Sequence, residues 1–338
     1  MMTIGQIAEM AGVSKSTVSR VLNHSGYVNE GTRSRVEKII EDYHYSPSAT
    51  AQNLSRRETN TIGVVVPELE NAFFGEVLAG VAEIVDQNNY TMIVCNTGNN
   101  AEKEKAALEM MEQQRVKGVI LTPAIGYSDA EAAKSIRIQL KNLKIPVVIV
   151  DREIKDVPWD GVFYENFESG YLAAEHLIQQ GKKVIGMITG DMDLKHARER
   201  YRGYVQAMED HGLTVRKEYV YEGMYSPDIT CEITKKMIWS GDFPEALVLS
   251  NNVTTLGFIK GLKECGQELN EQIAFVGIDH IPVLDMIGYQ YDCVTRDMKG
   301  MGRTAMELLI DRLENPKRER KIYMISCITK FSKGGTVL

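Results

Sequence analysis

The spacing of apolar residues changes character along the chain. Over residues 7–23, IAEMAGVSKSTVSRVLN, apolar side chains recur at helical intervals on either side of a glycine. Ile7, Ala8 and Ala11 give a first helix an apolar face, Gly12 supplies a turn, and Val13, Val18 and Val21 seal a second helix onto the first. Ser14 stands where a cap for the second helix is needed, and Lys15, Ser16, Thr17, Ser19, Arg20 and Asn23 are left facing outward as a row of hydrogen-bond donors. Such a polar second helix is what a helix-turn-helix sets into a DNA major groove, although an ordinary amphipathic hairpin has the same spacing. A third helix is expected from Thr32 to about Tyr43, with Thr32 as cap and Val36, Ile39, Ile40 and Tyr43 as its core stripe. Three helices close an all-α DNA-binding domain over residues 1–46.

Pro47 opens a polar linker, PSATAQNLSRRETN, that is too short for a core and holds a short expected helix over 48–54. Its bulky apolar residue, Leu54, would be exposed on an isolated helix, so it either packs on the body or inserts into something else. Residues 47–60 are thus read as hinge and linker. From Thr61 the apolar runs become strand-length: TIGVVVP, YTMIVCN, KGVILT and IPVVIVD, then GVFYEN, KVIGMITG, EYVYEG, EALVLSN and IAFVGID, with amphipathic stretches between them. The alternation predicts an α/β body over 61–338 made of two doubly wound parallel-sheet lobes. The expected division is an N-lobe of about 61–162 and 294–321 and a C-lobe of about 163–293 and 322–338. Ligands on such sheets bind outside the carboxyl ends of the strands, so two facing lobes define a cleft.

Composition supports this organisation and removes other classes. A chain of 338 residues, 43% hydrophobic and 25% charged, has enough material for a small DNA-binding unit and two core-bearing lobes. Its apolar runs, such as VVIV at 147–150, are far short of a membrane span, and the N-terminus enters a polar helix without a signal-peptide core. A cytoplasmic protein with no membrane association is expected. Five scattered cysteines without a CxxC pair argue against a disulfide framework or a zinc site. The net charge of −7 conceals a net of +1 on residues 1–60, which lets Lys15, Arg20, Arg56 and Arg57 face phosphates while an acidic body opposes indiscriminate binding.

Enzymatic signatures are weak. GMGRTA at 300–305 matches GxGxxA but lies too late for a dinucleotide-binding half to follow, and reads instead as the start of a crossover helix. There is no Walker loop, HExxH or GxSxG, and the six histidines have no metal or triad spacing. No catalytic residue, metal or cofactor is expected. The alternatives are a sugar- or nucleotide-binding enzyme, or a solute-binding protein with a related body, which should carry a signal peptide in place of residues 1–57.

The chain resembles the lactose/galactose repressor (LacI/GalR) family of bacterial transcription regulators over essentially its full length. The resemblance rests on IGQIAEMAGVSKSTVSRVLN, VNEGTRSRVEKIIEDYHYSPSATAQNLSRR and TIGVVVPELENAFF. It extends to VDR at 150–152, RYRGY at 200–204, LVLSNNVTTLGFIKGLKE at 247–264 and FVGID at 275–279. It implies a homodimer on a palindromic double-stranded operator, controlled by a small molecule in a periplasmic-binding-protein-like body. By position Lys15, Ser16 and Arg20 would read base edges, Arg20 being suited to bidentate contact with guanine, while Ser14, Thr17 and Asn23 would meet phosphates. Leu54 stands at the family's minor-groove wedge.

For the effector, the matching positions are Phe73, Phe74, Asp151, Arg152, Leu194, His196, Arg200, Tyr225, Asn252 and Asp279. Arg200 and Asp279 would bond the ligand or else form a structural ion pair, and the aromatics would stack on it or serve the core. A sugar or sugar derivative is expected, with a sugar acid, a sugar phosphate or a purine-type corepressor as alternatives. The chain departs from the common pattern at Glu165, Asn252, Arg296 and Asp297, where aspartate, aspartate, glutamine and proline are frequent. Fewer acids beside Arg152, Arg200 and Arg296 favour an anionic ligand, unless a buried arginine pairs with Asp151 or Asp297. A ligand bridging Arg200 and Asp279 is expected to close the cleft. No leucine heptads follow IYMISCITKF, so a body-mediated dimer is expected rather than a tail-mediated tetramer.

Overall fold

The computed structural model describes residues 2–22, 25–43, 45, 59–127, 130–155, 157–267 and 273–331. The chain divides into two units, Met1–Thr59 and Asn60–Leu338. In the first, helices α1 (Ile4–Ala11), α2 (Lys15–Leu22) and α3 (Glu30–Asp42) enclose Ile7, Ala8, Ala11, Val18, Val21 and Val36, with Val13, Ile39 and Ile40 packed against them. Thr3 and Gln6 cap α1 reciprocally, and Gly12 ends it at φ 64°, a left-handed conformation that glycine reaches without a steric penalty. Ser14 Oγ accepts the Thr17 N–H at 3.2 Å, the expected cap. Two details of α3 differ from expectation. Asn29 rather than Thr32 is its cap, accepting the Gly31 N–H at 3.0 Å, so the helix starts earlier and Thr32 lies within its first turn. Tyr43 follows the helix and is 54% exposed rather than part of the core stripe. Asn23 and Leu54, with the expected helix over 48–54, lie outside the described residues.

The body alternates strands and helices as the apolar runs required. In chain order these are β1 (Thr61–Val66), α4 (Ala72–Gln87), β2 (Thr91–Asn96), α5 (Ala101–Gln113), β3 (Gly118–Leu121), α6 (Ala130–Asn142), β4 (Val147–Val150) and β5 (Asp160–Tyr164). There follow α7 (Asn166–Gln179), β6 (Ile185–Thr189), α8 (Lys195–Asp210), β7 (Val220–Glu222), α9 (Pro227–Ser240), β8 (Ala246–Leu249), α10 (Asn252–Glu264) and β9 (Ala274–Ile278). The last elements are α11 (Pro282–Met286), β10 (Cys293–Thr295), α12 (Met298–Glu314), β11 (Ile322–Ile325) and β12 (Ile328–Lys330).

One sheet has the order β2-β1-β3-β4-β5-β11 and the other β7-β6-β8-β9-β10-β12. All pairings are parallel except that of β12 with β10. Strands β3, β4, β5, β6 and β8 are buried along their whole length, which is why they read as unbroken apolar runs rather than alternating ones. The two sheets share one winding: strand order reverses between β1 and β3 and again between β6 and β8. At each reversal the following loops diverge and leave a crevice at the carboxyl ends.

The lobe boundaries fall later than expected. Ile322–Ile325 pairs with Gly161–Tyr164, so β11 belongs to the first sheet, and Val294 and Thr295 belong to β10 in the second. The chain therefore crosses between lobes after residues 164, 295 and 325. Sheet membership is a matter of hydrogen-bond register, to which apolar spacing is blind. Among the described residues no helix is long and apolar enough to cross a membrane.

GMGRTA lies at the start of α12, as a crossover helix requires. A Cβ on Gly302 would stand 2.0 Å from the Val77 carbonyl oxygen, so α12 and α4 cross backbone against backbone there. Gly302→Ala should force them apart and lower stability by about 1–3 kcal/mol in urea denaturation. Gly75→Ala, on the same helix α4 but with nothing within 4 Å of its added methyl, should be neutral or stabilising by about 0.5–1 kcal/mol. Equal effects would show that the close crossing contributes nothing.

Candidate nucleic-acid interface and ligand cleft

In α2 the burial of Val18 and Val21 fixes which side chains face out. Ser14, Lys15, Ser16 and Arg20 are exposed and Thr17 is half-buried. The Ser14 hydroxyl lies 2.7 Å from that of Ser16 and 2.9 Å from that of Thr17, so three hydroxyls cluster at the amino end of the helix. That end carries unpaired N–H groups and the positive pole of the helix dipole, which suits a phosphate, while Lys15 and Arg20 supply the long cationic reach that base edges need.

The cleft is built from strand ends. Phe73 and Phe74 follow β1, Asp151 and Arg152 follow β4, Leu194, His196 and Arg200 follow β6, Tyr225 follows β7, Asn252 follows β8, Asp279 follows β9 and Arg296 follows β10. Between the lobes an outer cavity of about 390 Å³ is lined by Glu68, Asn99, Tyr127 and Arg152 on one side and Asp191, Leu194 and Tyr225 on the other. It leads to an inner recess of about 40 Å³ lined by Phe73, Phe74, His196, Arg200, Asn252, Asp279 and Arg296. Glu68, Arg152 and Tyr225 line both spaces. The ten positions matched to an effector in the sequence thus line these two spaces, whereas Glu165 and Asp297 line neither.

The recess is small because Arg296 fills it. Its Nε and Nη2 donate to the two oxygens of Asp279 at 2.7 Å each, and its guanidinium lies 4.4 Å from the Tyr164 ring centroid and 4.9 Å from that of Phe73. Asp151 stands 3.9 Å from Nη1, which has no hydrogen-bond partner. Burial opposes the Arg296 cation, but Asp279, Tyr164 and Asp151 outweigh it and raise its pKa. Asp151 and Asp279 sit at φ 62° and 74°, in the left-handed region that aspartate tolerates better than most side chains. Both carboxylate oxygens of Asp279 and one face of Phe73 are therefore engaged by the protein itself. Arg296 pairs with Asp279 rather than Asp297, which instead caps α12 by accepting the Gly300 N–H at 2.7 Å.

The other two arginines hydrogen-bond neutral acceptors. Arg152 Nη1 donates to Asn99 Oδ1 at 2.8 Å and to the carbonyls of Pro123 and Ala124 at 3.1 and 2.8 Å. Arg200 donates through Nε to Asn166 Oδ1 at 3.0 Å and through Nη1 to the Ser250 carbonyl at 2.6 Å. His196 stacks on Tyr225 with ring centroids 5.4 Å apart, and burial, reinforced by Arg200 and Arg152, pushes its pKa well down. Across the cleft Asn252 Nδ2 donates to Asn71 Oδ1 at 2.9 Å, and Lys195 pairs with Glu153 at 2.6 Å.

Sequence reasoning missed Tyr164, whose hydroxyl donates to the Asp297 carbonyl at 3.0 Å while its ring backs Arg296. It also missed Glu104 on α5, which accepts the Tyr127 hydroxyl and the Ala124 N–H and so fixes the loop that walls the outer cavity. Burial raises the Glu104 pKa, with Tyr127 working the other way. Tyr164 carried a signal, an aromatic at the last position before a lobe crossing; Glu104 looked like any polar position on an amphipathic helix.

Two family models match the chain: bacterial regulatory proteins of the lacI family over residues 3–48, and periplasmic binding proteins and sugar-binding domain of the LacI family over residues 59–331. The HTH-type transcriptional repressor PurR of Aliivibrio salmonicida (strain LFI1238) is 32% identical over 323 residues, 96% of each chain. A putative ribose operon repressor from Burkholderia thailandensis superposes with a TM-score of 0.69 at 27% identity, covering 80% of this chain and 98% of that one. The lac repressor dimer bound to operator and the anti-inducer ONPF superposes with a TM-score of 0.81 at 23% identity over 97% of both chains. Helical N-terminal unit, paired α/β lobes and these matches agree, and the chain belongs to the LacI family of non-enzymatic, DNA-binding transcriptional repressors with an effector-binding domain.

Proposed function

We propose that this repressor binds a palindromic operator as a homodimer, each protomer setting α2 into a major groove, and that a small molecule in the interlobe cleft controls its occupancy. The exposed polar face of α2, held outward by buried Val18 and Val21, carries the reading. Lys15, Ser16 and Arg20 are its base-reading side chains and Ser14 and Thr17 its phosphate contacts. One such helix reads a few base pairs, so a two-fold pair on a palindrome supplies the specificity that one unit lacks. The dimer is expected to form through the body, and the protein to work in the cytoplasm, where its operator is.

The cleft suits a compact, hydroxyl-rich molecule. Its outer cavity is within the range of small-ligand sites and offers carboxylates, an amide and a guanidinium beside aromatic rings, the set that binds sugars and their derivatives. The names of two relatives, a PurR repressor and a putative ribose operon repressor, point to different ligand classes, so a purine is the alternative that the effector test has to separate from a sugar.

Arg20→Ala should lose about 1–3 kcal/mol of operator affinity in fluorescence anisotropy while binding random duplex nearly as before. An equal loss on both would make Arg20 a phosphate contact. A neutral His196 has its own consequence. The unfolded chain takes up a proton at this residue near pH 6.5 and the folded body does not, so its contribution to stability is complete above that pH. As the pH falls below about 6.5 it is lost, by up to about 1.4 kcal/mol per pH unit. Urea midpoints from pH 5 to 8 should therefore fall more steeply on acidification for the native chain than for His196→Asn; parallel curves would mean that His196 is protonated in the fold.

A further inference from the structure

The recess is lined by three arginines, Arg152, Arg200 and Arg296, and three carboxylates, Glu68, Asp151 and Asp279. All but Glu68, which is half-buried, are at least nine-tenths buried. Asp279 is consumed by Arg296, and Asp151 stands 3.9 Å from the same guanidinium. Arg152 and Arg200 are left with amide and carbonyl oxygens as their hydrogen-bond acceptors, and the buried Nε of Arg152 has none. Asp151, Glu68 and Asp191 favour the Arg152 cation through space, but none of them hydrogen-bonds it, and carbonyl dipoles replace only part of the hydration that the two guanidiniums gave up.

The recess is lined by Arg152 and Arg200 together and adjoins the larger cavity, with which it shares Glu68, Arg152 and Tyr225. That outer cavity is walled by Glu68, Asp191 and Asp193, carboxylates that accept hydrogen bonds from hydroxyls and repel a second acid.

We propose that the effector is a polyhydroxylated molecule with one acidic head group, its carboxylate or phosphate seated against Arg152 and Arg200 and its hydroxyls on Glu68 and Asp191. Arg296 sets this specificity. By occupying Asp279 and the faces of Phe73 and Tyr164, it removes the carboxylate and the stacking surface that a neutral sugar would use, and leaves Arg152 and Arg200 as the side chains without a bonded carboxylate. The inference deepens the proposed function and rests on its assignment of the cleft as the effector site.

The full-length chain should be melted at pH 7.5 and constant ionic strength with inorganic phosphate, D-gluconate, D-glucose 6-phosphate and neutral D-glucose. A saturable rise in Tm is expected with phosphate and a larger one with gluconate or glucose 6-phosphate, the two arms separating a carboxylate head from a phosphate one. Glucose should give none. Arg152→Gln should weaken anion binding at least tenfold, and Glu68→Gln, which removes a half-buried rim carboxylate, should tighten inorganic phosphate several-fold. Glu68→Gln keeps the test decisive if the arginine variant is too unstable to melt cooperatively. The proposal is overturned if no anion stabilises the native chain, if glucose stabilises it more than the anions do, or if both variants bind phosphate as the native chain does. Operator binding measured in the same buffer separates the two readings: operator bound without any anion effect sinks this inference alone, whereas anions bound without operator recognition sinks the operator assignment instead.

Discussion

The body is organised around one buried ion pair. Arg296 and Asp279 both stand on the second lobe, at the ends of β10 and β9, yet the rings against which the guanidinium lies, Phe73 and Tyr164, come from the first. A buried charge is tolerated only when its hydration is replaced, and here the replacement is assembled from both sides of the cleft. Removing either partner would strand the other as an uncompensated buried ion, so the pair constrains the two lobes jointly. Because Arg296 lies on the crossing between β10 and α12, the same contact also fixes where the chain passes from one lobe to the other.

The duplicated winding explains why the site forms where it does. Asp151 after β4 and Asp279 after β9 are equivalent positions in the two lobes, both in left-handed backbone, and both face Arg296. Each lobe contributes one carboxylate by the same local device: a strand buried at its carboxyl end and followed by an aspartate in left-handed backbone. Strain of this kind is worth keeping only where the surroundings over-determine it, and a two-sided ion cluster does so.

Much of this was legible in the sequence, and the failures have identifiable causes. The helix-turn-helix showed itself because its signals are local: a glycine that must be left-handed, a serine that caps, and valines at helical spacing. The strands showed themselves because burial on both faces leaves no room for polar residues. The cap at Asn29 was missed because Thr32 is an equally good acceptor in isolation; the choice depends on where Val36 must point to reach the core formed by α1 and α2. The placement of β11 was missed because Ile322–Ile325 is mostly exposed and says nothing about which sheet edge it joins. Arg296 was noticed as a departure, but its partner was not decidable, since Asp151, Asp279 and Asp297 compete for it and only the fold brings one into bidentate reach.

The state of the cleft, rather than any residue alone, is what an effector can act on. A ligand shifts the balance between closed and open lobes only by the difference in its affinity for the two. The lobes already hold contacts with each other, Asn71 with Asn252, Glu153 with Lys195, and Arg296 against Phe73 and Tyr164, and these bear on that balance. In the proposed reading, an acidic group seated between Arg152 and Arg200 strengthens this interlobe contact. An effector that must expel Arg296 to reach Asp279 opposes it, because it has to undo a bidentate pair before gaining its own contacts. In the proposed reading, whether a molecule favours or opposes these interlobe contacts is therefore set by which of the two arginine arrangements it engages, and an effector that changes operator affinity must have its own affinity changed by operator by the same factor.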